Sequence, residues 1–504
     1  MVRAMIPLSR RSLLVGSAAA LALAGRARPD PGEEEKGLRA LLDRAQEDPA
    51  GALTALSAWN ADALSAGRRF DLLAALSGLA IDVELARRFP FGRPGRSPYR
   101  VTPTSGAWLR SDASALAIAD ETQALLADAG AGVRLPRGMA ERTIAAVEAA
   151  QRRATGPRAV AIGDQLVALR RLAIDAPRPG MVALPEGARY YTLLLRRTSG
   201  DDVDVDALHR RLLREHAAVR AQADRLFAQI GLRGGSIGAR YQALWRVARW
   251  RYPDDDAGRD RAVADMNRTL ATAALHLPRW FEPLPAQVHA VRAARMSPAE
   301  EAADKQGYRM LPAGDRPGRY VVDLREIGRR PAWTLPAVVH HELLPGHMVQ
   351  MPLEVLAAPH PLRLDYAQAF LEGWAIYAEG LAAAAGLYRG DPHGALGYCH
   401  WRLFRLCRAL ADLGIHLHGW SSDRALAFWR EEMGEPAYFA PFASDLDRIV
   451  VEPATRAAEA ASWLTIEDLA RGRPLVAFHA ALLQHGRMRT DMLHSAVMDR
   501  MAPR

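Results

Sequence analysis

Apolar residues recur at three- and four-residue intervals along most of this 504-residue chain. That period puts them on one face of an α-helix. It predicts helices over 38–64, 72–88, 114–129, 141–155, 160–173, 205–230, 259–277 and 398–417. Proline and glycine interrupt the pattern at 89–98, 156–157, 175–187, 278–285 and 311–318. Runs that read as strands are few, 190–195 and 319–324 being the clearest. Strands and helices do not alternate, which argues against a doubly wound sheet. No nucleophile elbow, phosphate loop or dinucleotide glycine pattern stands out. The expected fold class is mostly α.

Composition changes this picture little. At 49% hydrophobic residues the chain can bury a sizeable core without disulfides or a structural metal. The net charge of +9 is almost all arginine, since Lys36 and Lys305 are the only lysines. The arginines are interspersed with acids and form no basic block, so a nucleic-acid partner is not expected. Cys399 and Cys407 fall on one predicted helix, where eight residues separate them by about 12 Å. A disulfide needs Cα atoms within about 7 Å, so both read as small buried residues.

The N-terminus carries a different signal. Arg10-Arg11 precedes the apolar run 13–24, Ala22-Leu23-Ala24 reads as a cleavage site, and a polar stretch follows. These are the parts of a secretory signal, and the paired arginines resemble a twin-arginine leader. The run is short of the ~20 residues that span a bilayer, so no stable membrane anchor is expected after cleavage. No cysteine follows it, which argues against a lipid-modified N-terminus. The expected location is periplasmic or secreted.

The candidate chemistry lies in His340-His341-Glu342-Leu343-Leu344-Pro345-Gly346-His347. In a zincin helix two histidines four apart reach one ion from one face. His341 and His347 are six apart, so on a straight helix they would diverge by about 120°. They can share an ion only if the helix bends between them, and Pro345-Gly346 is a device for that. The second element is Phe370-Leu371-Glu372-Gly373-Trp374, with Glu379 further along the same face. Glu372 in an apolar helix is costly to bury unless paired or metal-bound. His341, His347 and Glu372 are the expected ligands of one zinc ion per chain, leaving a fourth position for water. Glu379 reads either as a group that orients a ligand or as an ordinary ion pair.

These motifs resemble the bacterial "domain of unknown function 885" family, which is itself similar to helical gluzincin metallopeptidases. The likeness extends to Arg316-Pro317-Gly318-Arg319-Tyr320, to 408–416 and to Gly419-Trp420-Ser421. The resemblance implies a multi-helix fold with a deep cleft and a short β-ribbon near the active site. It implies Glu342 as general base, consistent with a bound water whose pKa falls from ~15.7 to ~7. His416 is a candidate oxyanion donor, held by Asp412 on the face shared with Arg408; a surface ion-pair ladder explains the same spacing. Tyr320 and Arg448 are candidate substrate-side residues, and 319–324 a candidate edge strand for an extended peptide. Where the family carries Pro-Gly-Gln and then a tyrosine, this chain has Pro453-Ala454-Thr455 and no tyrosine.

The expected organisation is a signal at 1–24, a linker at 25–36 and one helical metallopeptidase-like domain at 37–504, its metal-site half at about 313–455. The expected function is an exported zinc metallohydrolase acting on peptides. The alternatives are a metal-dependent amide or ester hydrolase of other substrates, and a helical binding protein with a vestigial site.

Overall fold

The computed structural model describes residues 32–314, 316–435 and 441–501. The expected signal, and the linker up to residue 31, lie outside them. Several helices begin where an Asp or Ser side chain accepts a hydrogen bond from the first turn, as at Asp48, Ser114, Asp204, Ser236, Asp255 and Asp391. Each such cap satisfies an N–H that the helix leaves unpaired.

Three expectations are corrected. The predicted helix 38–64 is two helices, Glu33–Arg44 and Pro49–Ser57. Proline disfavours helical backbone at the preceding Asp48, which instead caps the second helix through Gly51 N–H. The first helix starts inside the expected linker, its acidic Glu33-Glu34-Glu35 turn suiting the positive end of the helix dipole. Residues 190–195, read as a strand, lie within the helix Gly187–Thr198 and bury Tyr190, Tyr191, Leu193, Leu194 and Leu195. A short continuous apolar run carries no period to distinguish the two states.

The helix Pro392–Leu417 is the axis of the molecule, buried almost all round from Leu396 to His416. Against it pack Val205–Gln229, Leu335–Glu342, Ser422–Met433 and Thr455–Ala470. Cys399 and Cys407 sit on it as buried free thiols. The helix Gln368–Ala384 packs along Thr455–Ala470. Beside these lies one small sheet of β1 (Arg292–Arg295), β2 (Tyr308–Met310) and β3 (Arg319–Val322). Its order is β1-β3-β2, with β1 parallel and β2 antiparallel to β3. β3 is therefore the central strand, and the expectation of a free edge at 319–324 fails because both of its sides are paired. Among the described residues no helix is long and apolar enough to cross a membrane.

The corner at Pro453-Ala454-Thr455 is fixed from the axial helix. Asp412 accepts hydrogen bonds from the N–H groups of Ala454 (2.9 Å), Arg456 (2.9 Å) and Ala457 (3.1 Å), so it caps the helix Thr455–Ala470. Ala454 takes φ 68°, a left-handed conformation that a Cβ disfavours. Ala454→Gly is expected to stabilise the protein by about 1 kcal/mol, read as a raised thermal midpoint.

Candidate metal centre

Two short helices meet at the centre of the site. The first, Leu335–Glu342, ends one residue after His341; the second, His347–Ala357, begins at the other histidine. The helix does not bend, as the spacing suggested. It stops and restarts. Pro345 has no N–H to continue the ladder, and a Cβ on Gly346 would lie 1.9 Å from the His341 carbonyl oxygen. Only glycine lets the chain fold back so closely. The turn's carbonyls are satisfied from outside: the Trp374 indole N–H lies 3.3 Å from the Pro345 oxygen and 3.1 Å from that of Gly346.

Trp374 belongs to the helix that carries Glu372. Between them, Gly373 lets that helix press against Ser462 and the backbone of Trp463. Glu372 thereby reaches both histidines, with Oε2 3.3 Å from His341 Nε2 and Oε1 3.5 Å from His347 Nε2. Donor atoms of the three residues lie within 4.8 Å of one another, and the imidazoles meet edge to face at 4.9 Å. Glu379 lies 2.7 Å from His341 Nδ1, which fixes that nitrogen as the donor and leaves Nε2 facing Glu372. His340 turns away, packing its ring against Tyr388.

The fit to a metal rests on His347. It is fully buried, and neither ring nitrogen has a hydrogen-bond partner. Buried polar atoms are rarely orphaned, and an ion at Nε2 would answer the one that faces Glu372. Two histidines and a carboxylate with an orienting second carboxylate suit zinc. Burial and Arg309 lower His347 to about 4, so its ring is neutral and can ligate. Burial and Arg405 also oppose charge on His341, but Glu372 and Glu379 prevail and raise it to about 9. Burial would raise Glu372, yet the two histidines hold it well below the carboxylate range.

Glu342 accepts a hydrogen bond from Arg309 on β2 at 2.7 Å. Burial pushes its carboxyl up, but Arg309 and the two histidines hold it below the usual value. Tyr320 lies opposite Arg309 in the β2–β3 register. It is buried, and burial followed by the Glu342 charge raises its hydroxyl.

Other expected residues are placed elsewhere. His416 is eleven residues beyond Arg405 on the axial helix, about 16 Å along it. Its Nε2 donates to the Ile449 carbonyl at 2.8 Å, and burial lowers it to about 4, so it is a neutral packing histidine. Asp412 does not keep it charged, because that carboxylate is engaged in capping. Arg408 pairs with Asp445 at 2.9 Å, inside the protein and not in a surface ladder. Arg448 is half-buried on Phe442–Val451, beside the residue that anchors His416. A cavity of 370 Å³ lined by Arg137, Arg142 and Arg178 shares no residue with the metal group, and so is not the expected cleft.

Residues 100–497 match the family described as "Bacterial protein of unknown function (DUF885)". The chain belongs to that family. No curated protein matches it. Among solved structures it resembles "the putative lipoprotein from Colwellia psychrerythraea", at TM-score 0.74 and 21% identity over 97% of both chains. It also resembles "a putative lipoprotein of unknown function from Shewanella oneidensis", at TM-score 0.68 and 15% identity, over 97% of this chain and 98% of that one. At these identities the likeness establishes the fold.

Arg309, Arg405 and the role of Trp374 were not foreseen. Arg309 lies in a three-residue strand with no sequence pattern of its own. Arg405 had a signal, as one of three arginines spaced by three inside an apolar helix. Glu379→Gln is expected to weaken the affinity of the His341, His347 and Glu372 group for a divalent ion about 10–100-fold, measured by competition with a chelating dye.

Proposed function

We propose that this chain is an exported zinc-dependent metallohydrolase that cleaves peptide bonds. The observation that carries the reading is the convergence of His341, His347 and Glu372, with the buried ring nitrogens of His347 left without a hydrogen-bond partner. Export is supported by the pattern at 1–24 and by the fold shared with proteins described as lipoproteins. When bound, zinc supplies a water that ionises near neutral pH and a polarised carbonyl.

The chain's own groups do the rest. Glu342, next in sequence to His341 and held ionised by Arg309, is the group that would take a proton from the attacking water and pass it to the leaving amine. Glu379 keeps the His341 proton on Nδ1. Among the described residues β2 is an edge strand, and its Arg309 reaches Glu342; an extended peptide can pair along such an edge. This moves the proposed peptide-binding strand from β3 to β2.

Elemental analysis of the purified protein beside His347→Ala tests the metal. About one zinc per chain, lost in the variant, is expected of a three-ligand site. A wild type that takes up no metal after incubation with zinc overturns the reading. Glu342→Gln should keep its zinc and lose hydrolysis of a peptide library; loss of zinc as well removes Glu342 from its role.

The pH profile tests the Arg309 pair. Without that cation, burial pushes Glu342 up, so the acid limb of hydrolysis in Arg309→Gln should move to higher pH. An unmoved limb would show that Arg309 does not govern the base.

A further inference from the structure

The axial helix carries Arg402, Arg405 and Arg408 at three-residue spacing, all buried, at 6%, 8% and 7% exposure. Two of them have carboxylate partners. Arg402 pairs with Glu467 at 2.7 Å, and Arg408 with Asp445 at 2.9 Å. Among the described residues Arg405 has no carboxylate within ion-pair distance, and its Nε has no hydrogen-bond partner. The faces of Trp401 and Phe404 hold the guanidinium, 5.2 and 5.6 Å from the ring centroids. Its close polar neighbour is His341, with Nη2 3.3 Å from Nε2 and 3.5 Å from Nδ1. An imidazole carries no negative charge, so this contact does not neutralise the guanidinium.

An unpaired cation in a low-dielectric interior is costly, and aromatic faces offset only part of that cost. A purely structural arginine here would be expected to have an acid, as its two neighbours do.

We propose that Arg405 binds an anionic oxygen of the substrate beside the metal position. The oxygen is either the oxyanion that forms on the scissile carbonyl or a carboxylate the peptide already carries. A guanidinium suits both, as a charged donor aimed where negative charge sits or develops. It takes the role that the sequence suggested for His416. The inference rests on the metallohydrolase reading for its substrate, but not for its test.

The test compares the full-length wild type with Arg405→Met and Arg405→Lys, before and after chelator treatment, using inorganic phosphate as the probe at constant ionic strength. Phosphate should raise the wild-type thermal midpoint saturably, and still do so after chelation. Arg405→Met should need at least about tenfold more phosphate, the expected loss of a charged hydrogen bond. Arg405→Lys should keep part of the response. Unliganded Arg405→Met should melt at or above wild type, because it removes an uncompensated charge. A variant that melts well below wild type, or responds to phosphate as wild type does, overturns the proposal. Zinc content of the same samples separates the two readings. An Arg405-dependent phosphate response in a protein that binds no zinc sinks the metallohydrolase and leaves the anion site. Zinc without that response sinks the anion site alone. Once a peptide is turned over, paired substrates distinguish the sources. An oxyanion role lowers kcat equally for peptides with free and amidated C-termini, whereas a carboxylate role raises KM for the free acid only.

Discussion

The Trp374 indole proton, placed near the carbonyls of Pro345 and Gly346, ties together the two parts of the site. One part is a turn that proline and glycine make possible but do not hold. The other is a helix that supplies Glu372 and Glu379. A backbone that stops and restarts leaves polar groups exposed to the interior, and here the second element satisfies them. The same contact sets the height of Glu372 against the two imidazoles. Gly373 serves the opposite side, letting the helix press onto Thr455–Ala470, whose start is in turn capped by Asp412 of the axial helix. Three consecutive residues thus provide a ligand, a close approach and a clamp.

Around this frame the interior holds charged side chains, many of them in ion pairs. Glu354 with Arg487 and Asp71 with Arg363 are buried ion pairs that join elements distant in sequence, and the buried Arg402 meets a half-buried Glu467. Such pairs are weak stabilisers, but breaking one strands a charge. They set the background against which His347 and Arg405 stand out. Among the described residues neither His347 ring nitrogen has a hydrogen-bond partner, and Arg405 has no carboxylate within ion-pair distance.

The parts of the structure readable from sequence were those fixed by local chemistry. Helices with long apolar periods and Asp or Ser caps appeared where expected, and the residues on either side of the Pro-Gly pair converge as their chemistry required. Tertiary pairing was not readable. Whether 190–195 coils or extends depends on the core that receives it, and whether β3 is an edge depends on strands of three and four residues that carry no pattern. His416 and Asp412 misled for a related reason. Four-residue spacing shows that two side chains share a helix face, but not what that face meets. Here it meets the cap of another helix and the Ile449 carbonyl, not the metal group.

The restart of the helix at His347 frees the ligand spacing from the helical repeat. In an unbroken ligand helix, one inserted residue swings every later side chain by about 100° and destroys the pair. Here the interval is set by the turn, where a Cβ at position 346 would meet the His341 carbonyl, and not by the helical repeat. A motif written on the four-residue repeat of a helix would therefore pass over a pair of donors that the fold nonetheless brings together.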